Sequence, residues 1–302
     1  MNKLLFNPAG LYPIFADELL LSAVLRKVQA QSIHARLLLE RVLALGPAAK
    51  ICFGGGELLG DKSRSCASYT ELLFRHSLVP YHIEFWCNED QTNFFAGGAP
   101  LSQYLKNHFL KQIRFFNNSC PTLRLCKSCV GLEIEFLGTS FWHRKHQLPG
   151  VVSCHIHNCA LYKSEIPNKF DYRLQNLKLP HQTKNLNRVM EFSSREFCLA
   201  LALNSEALLD ANKINLEPKS THRMQELQDE FFTCDTLTAR ERIRWIRSKY
   251  KQHLANHFLT FNRISIPPPA NFDIPASIGY EQHSTLSHLV LRTILQMDSL
   301  GA

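Results

Sequence analysis

Apolar residues recur at helical spacing along most of this chain, and the exceptions gather in one central stretch. Leu20, Val24 and Val28 step by four behind Asp17 and Glu18, and Arg26-Lys27 follow them. Acid first and base last is the order that suits a helix dipole. Leu37, Leu38 and Val42 predict a second helix from a Ser32 cap to Leu45, ended by Gly46-Pro47. Ser68 caps a third over 68–76, with Glu71 placed for a capping box. A fourth begins near Pro100 and ends by Asn117-Asn118. Later, 194–209, 221–232, 236–261 and 284–297 read as helices, with Pro267-Pro268-Pro269 breaking the chain before the last. Two segments depart from this pattern. Leu132 to Phe136 alternates with the period of a short strand, and 162–182, polar with Pro167 and Pro180, reads as a connector.

The departures flank the most informative residues. Cys126-Lys127-Ser128-Cys129 and Cys154-His155-Ile156-His157 are two short knuckles separated by residues 130 to 153. Soft-ligand pairs on two tight turns, joined by such a loop, form the ligand set of a closed tetrahedral zinc site. Thiolate and imidazole suit zinc better than calcium or magnesium. The spacing therefore predicts a structural Zn2+ held by Cys126, Cys129, Cys154 and His157. Cys120, Cys159 and His155 compete as ligands. Cys120 falls outside the knuckle spacing, Cys159 requires a wider turn, and His155, next to Cys154, should point elsewhere. Phe141 and Trp142 are expected to cover the metal core, because a module this small has too little apolar area to fold alone.

Composition sharpens this modestly. Of 302 residues 45% are hydrophobic, enough for an ordinary core in two or three domains. The net charge of +8, from 34 basic against 26 acidic residues, favours a polyanionic partner. Of the ten cysteines, Cys52, Cys66, Cys87, Cys198 and Cys234 sit in apolar surroundings as reduced core residues, which suits a cytoplasmic protein and not a disulfide scaffold. Met1 to Phe6 is too short for a signal segment, and the apolar run from Leu19 to Leu25 is too short to span a bilayer.

Together these features predict a mainly α chain with a small zinc-ribbon module. An N-terminal domain (1–118), a bundle of short helices with Gly-containing turns, is compatible with a helix-turn-helix. A central Cys3His zinc finger (119–165), a connector (166–190) and a C-terminal helical domain (191–302) follow. Bundles of that kind also form cores that touch no DNA. Arg124, Lys127, Arg144 and Lys145 are expected to make the module's exterior basic. Arg240, Arg244, Arg247 and Lys251 are candidates for tracking a DNA backbone from a helix whose Ile243, Ile246, Tyr250, Leu254 and Phe258 form a buried stripe. A solvated charged face is the alternative for both sets.

The two knuckles with Phe141-Trp142-His143-Arg144-Lys145-His146-Gln147-Leu148-Pro149-Gly150 between them, and Cys159-Ala160-Leu161 after them, resemble the TniQ/TnsD family of transposon target-selection proteins. The Asp17-Glu18-Leu19-Leu20 start and Arg75-His76-Ser77-Leu78-Val79-Pro80-Tyr81 add weaker likeness, the latter to the TnsD branch. The resemblance implies a DNA-binding selector that recognises an insertion site on double-stranded DNA and recruits the AAA+ ATPase TnsC, which engages transposase subunits. A second version, as in TniQ proteins of CRISPR-associated transposons, links a guide-RNA complex to TnsC with little DNA specificity of its own. TnsD-type proteins are usually longer, so the chain is expected to be either a short member or a fragment. An enzyme is not expected: Gly-x-Ser-x-Gly, His-Glu-x-x-His, P-loop and Rossmann patterns are missing (Gly54-Gly55-Gly56 lacks the P-loop ending), and acids such as Asp171 and Asp229 are scattered. A zinc hydrolase is the remaining alternative from that class.

Overall fold

A computed structural model describes residues 14–30, 75–78, 80–81, 122–167, 178–189, 194–211, 239–254 and 285–299. The expected helices over 32–45, 100–117 and 221–232, the glycine turn at 54–56 and the Pro267–Pro269 break lie outside these residues. So does most of the 68–76 helix, of which Arg75 and His76 are described and helical. The described part is helix-rich with one small sheet. In order it comprises α1 (Leu20–Gln29), β1 (Thr122–Leu125), α2 (Lys127–Leu137), β2 (Tyr162–Pro167), β3 (Asn187–Arg188), α3 (Arg195–Ala211), α4 (Ala239–His253) and α5 (Thr285–Ser299). No helix among the described residues is long and apolar enough to cross a membrane.

The sheet is antiparallel in the order β1-β2-β3, with Leu125 opposite Tyr162 and Tyr162 opposite Arg188. The connector expected over 162–182 thus begins as the central strand, and the sheet reaches past residue 165 to take in part of the segment assigned to a linker. Ser164 and Ile166 point inward and Glu165 outward, a period-two pattern that the polar Ser164 hides from a hydrophobicity reading. Pro167 closes the strand, where a missing N–H does least damage.

A second expectation fails at 132–136, which is helical and not a strand. Cys126, extended, starts α2, and Gly138 ends it in the left-handed region at φ 67°, its N–H bonded to Ile134 O. The five-residue alternation misleads because its polar member turns inward. Glu133 is buried beside Cys129, four residues back on the same face, while Leu132, Ile134, Phe136 and Leu137 are exposed. Glu133 accepts hydrogen bonds from the Phe141 N–H, at 3.1 Å, and from His143.

Residues 138–151 fold back over the sheet and hold it to its neighbours. Gln147 stands in for a strand partner: its amide oxygen accepts from the Arg124 N–H at 2.9 Å and its amide nitrogen donates to Arg124 O at 2.7 Å. The Arg124 guanidinium lies inside, donating to Leu148 O at 2.7 Å and to Val151 O. Gly150, at φ 74°, sits against α5, where an added Cβ would stand 2.5 Å from a Leu286 methyl.

α1 docks on the same segment. The Leu19 N–H donates to Trp142 O at 2.9 Å, the Trp142 N–H to Ser22 Oγ at 2.9 Å, and the Arg144 N–H to Asp17 O at 2.8 Å. Asp17 and Glu18 precede the helix instead of occupying its first turn, so their role is anchoring and not dipole compensation. Glu18 is fully buried and gripped by Arg26 through both carboxylate oxygens, at 2.8 and 2.6 Å. Burial raises its pKa despite that partner. On the far side α3 starts at Ser194, whose hydroxyl accepts from the Phe197 N–H at 3.2 Å, the expected cap. It packs on α5, with Leu201 and Leu208 buried on α3, Leu289 and Val290 buried on α5, and Asn204 donating to Thr293 and Gln296.

If Arg124 is an internal clamp, Arg124→Met takes the guanidinium donor from the buried Val151 carbonyl, leaves Leu148 O only the Val151 N–H, and should lower stability by roughly 1–3 kcal/mol. Lys127→Met, at an exposed site, should change it by less than about 0.5 kcal/mol. Urea denaturation of the two variants side by side checks this.

Candidate metal centre

Four donors from two chain segments converge. Cys126 follows β1 as the residue before α2 and Cys129 lies in the first turn of α2, so the helix start aims both sulfurs at one point. Cys154 opens a tight turn closed by Asn158 N–H to Cys154 O at 2.9 Å and by Cys154 N–H to Cys159 O at 2.8 Å, with Asn158 at φ 44°. In this turn the His157 N–H points at Cys154 Sγ, 3.4 Å away. His157 Nδ1 stands 3.6 Å from Cys126 Sγ, 3.3 Å from Cys129 Sγ and 3.6 Å from Cys154 Sγ, and the Cys129 and Cys154 sulfurs are 3.8 Å apart. Tetrahedral zinc with bonds of about 2.3 Å to sulfur and about 2.0 Å to nitrogen requires donor separations of about 3.8 and 3.5 Å. The four ligand atoms fit that shell, and the buried Cys3His group could hold a metal ion.

Their electrostatics lead to the same conclusion. Hydrogen bonding from Cys129 and then Cys154 favours the Cys126 thiolate, and sharing that sulfur pushes the thiols of Cys129 and Cys154 up. Three sulfurs so close ionise together only when a cation sits among them.

The rejected ligands are also located. His155 stands outside the four-donor group, its Nε2 3.7 Å from Glu206 on α3. Cys159 stands 3.5 Å from Cys126 Sγ but outside the four-donor group. Cys120 lies outside the described residues. Trp142, 1% exposed, and Phe141 are buried, with the Trp142 indole N–H donating to Lys178 O at 3.0 Å.

The expected basic exterior does not hold. Arg124 is engaged by carbonyls, and Arg144, with no exposed surface, donates to Ser77 O at 3.0 Å and faces Asp17 at 3.5 Å. Lys145 is tied to Glu206 and Asp210. Each charge found an internal partner that lies far off in sequence, so its side chain is drawn in. Lys127 alone of the four is exposed, with its ammonium 4.2 Å above the Tyr162 ring. Arg240, Arg244, Arg247 and Lys251 all fall on α4, where Arg244 and Lys251 are exposed.

Sequence reasoning missed a clasp around His143. Its Nδ1 meets Asp17 Oδ2 at 3.1 Å and its Nε2 meets Glu133 Oε1, so one imidazole joins the segment before α1 to α2. Burial alone would push its pKa down. The hydrogen bonds and charges of Asp17 and Glu133 outweigh burial and hold it up at about 9. Behind it His146 is fully enclosed, and burial, with His143 and His155 nearby, keeps it neutral. The partners of His143 come from segments that no local pattern connects.

Two outcomes follow. Stripping metal with a strong chelator should unfold the 122–167 region, and Cys129→Ser should lower metal affinity by orders of magnitude, read by cobalt-thiolate absorption. The upward shift of His143 makes its contribution complete below pH 6.5 and lost as pH rises through about 9. Metal-saturated protein should therefore lose about 3 kcal/mol across that window, and His143→Gln should flatten the curve, as measured by denaturation at a series of pH values. No family model matches the chain, and no curated protein matches it either.

Proposed function

We propose that the chain is a non-catalytic target-selecting adaptor in transposition, as its TniQ/TnsD resemblance implies. It binds double-stranded DNA at the insertion site and recruits TnsC, through which transposase subunits are engaged. The observation that carries this reading is the four-donor group, which fills a tetrahedral shell and leaves no position for an activated water. In this reading the ion is zinc, as three soft sulfurs favour, and its work is to hold a scaffold together. DNA contact falls to α4, where Arg240, Arg244, Arg247 and Lys251 recur at steps of four, three and four. Cations on one helical face position a protein on phosphates, and base-edge contacts then specify the site.

A different observation favours the protein-adaptor version, in which the chain links a CRISPR guide-RNA complex to TnsC. Three of the four cations expected on the module's exterior are engaged internally, while α2 presents Leu132 and Phe136 one turn apart, the latter 75% exposed. An uncovered aromatic beside an aliphatic is a protein-binding feature more than a phosphate-binding one.

Binding to DNA flanking the native element, followed through a salt series, separates the two. The direct binder should give a site-specific footprint, and a double Arg244→Ala, Lys251→Ala variant should flatten the log–log salt slope by about 2 while TnsC binding survives. Phe136→Ser should weaken the protein partner and spare the DNA. Absence of any footprint, together with co-purification of a CRISPR complex, would replace the first version by the second.

A further inference from the structure

Next to the four-donor group lies a histidine that this group does not use. His146 is 1% exposed, and neither of its ring nitrogens has a hydrogen-bond partner among the described residues. A neutral imidazole carries one donor and one acceptor, and a protein interior rarely leaves both unmet. Partners of another kind are at hand. A ring nitrogen of His146, one of His155 and the sulfur of Cys154 lie within 4.8 Å of one another. Across from His155, Glu206 Oε1 on α3 is 3.7 Å from Nε2, and it also accepts from Lys145.

Two imidazoles and a thiolate form a borderline-soft donor set, and their separations are little wider than one coordination shell. Cys154 belongs to both groups, and a thiolate sulfur that binds one ion keeps lone pairs for another. We propose that His146, Cys154 and His155 form a second divalent-metal site, with zinc the fitting ion, bridged to the first through the Cys154 sulfur. Glu206, 3.7 Å from His155 Nε2, is a carboxylate beside it. Such an ion gives His146 the partner it lacks. It also ties the Cys154–His157 turn to the 145–147 turn and, through Glu206, to α3. The second ion is the weaker, because one sulfur serves two cations and Lys145 stands beside Glu206.

Zinc stoichiometry on the full chain tests this, by native mass spectrometry after chelation and stepwise return of zinc alone. The expected result is two zinc ions, the second at lower affinity. His146→Phe and His155→Ala should each retain one, with the cobalt-thiolate absorption of the four-donor group intact. Saturation of the unaltered chain at one ion would overturn the second site and leave the first standing, as would two ions in both variants. No bound zinc at all would remove both. Should His146→Phe fail to fold, the count on the unaltered chain and on His155→Ala, at a less enclosed side chain, still decides.

Discussion

Three sulfurs and an imidazole brought within bonding distance of one point constrain most of the described structure. Cys126 is the one residue between β1 and α2, and the Cys154–His157 turn leads within a few residues into β2. Fixing those two places sets the sheet register at one end and the direction of α2 at the other. Cys126, Cys129 and Cys154 are buried and mutually unfavourable as bare thiolates, and the group they form with His157 could hold a cation where the sequence placed one. The residues between the knuckles then serve as attachment surface, with Trp142 and Arg144 facing α1, Gln147 facing β1 and Gly150 facing α5.

How much of this was legible depends on whether the cause was local. The ligand set could be read because spacing alone decides which donors share a turn, and α3 could be read because Ser194 and an apolar face fall in one stretch. α2 was misread because Glu133 answers to His143 and to the Phe141 backbone, which no periodicity reports. The cations were misread for a related reason. A lysine or arginine reads as surface until its partner is known, and the partners of Arg144 and Lys145 are Asp17, Ser77, Glu206 and Asp210, dozens of residues away. β2 was passed over because its inward positions include a serine.

Buried charge is thus used here as mortar between segments. Glu18 with Arg26, and His143 between two carboxylates, each lose hydration, and well-packed apolar replacements could match them in energy. What they add is directionality: an apolar patch can slide, whereas an imidazole bonded at both nitrogens fixes the approach of α1 to α2 at one angle and one register.

The docking of α1 on Trp142 also bears on how the chain is made. Leu19, Leu20 and Leu21 are nearly all covered in the finished fold, yet the backbone groups that bond Asp17, Leu19 and Ser22 of this segment belong to residues 142–144. At ribosomal speeds of about 5–20 residues per second, this greasy segment waits on the order of ten seconds for its seat. During that interval it is a natural client for chaperones.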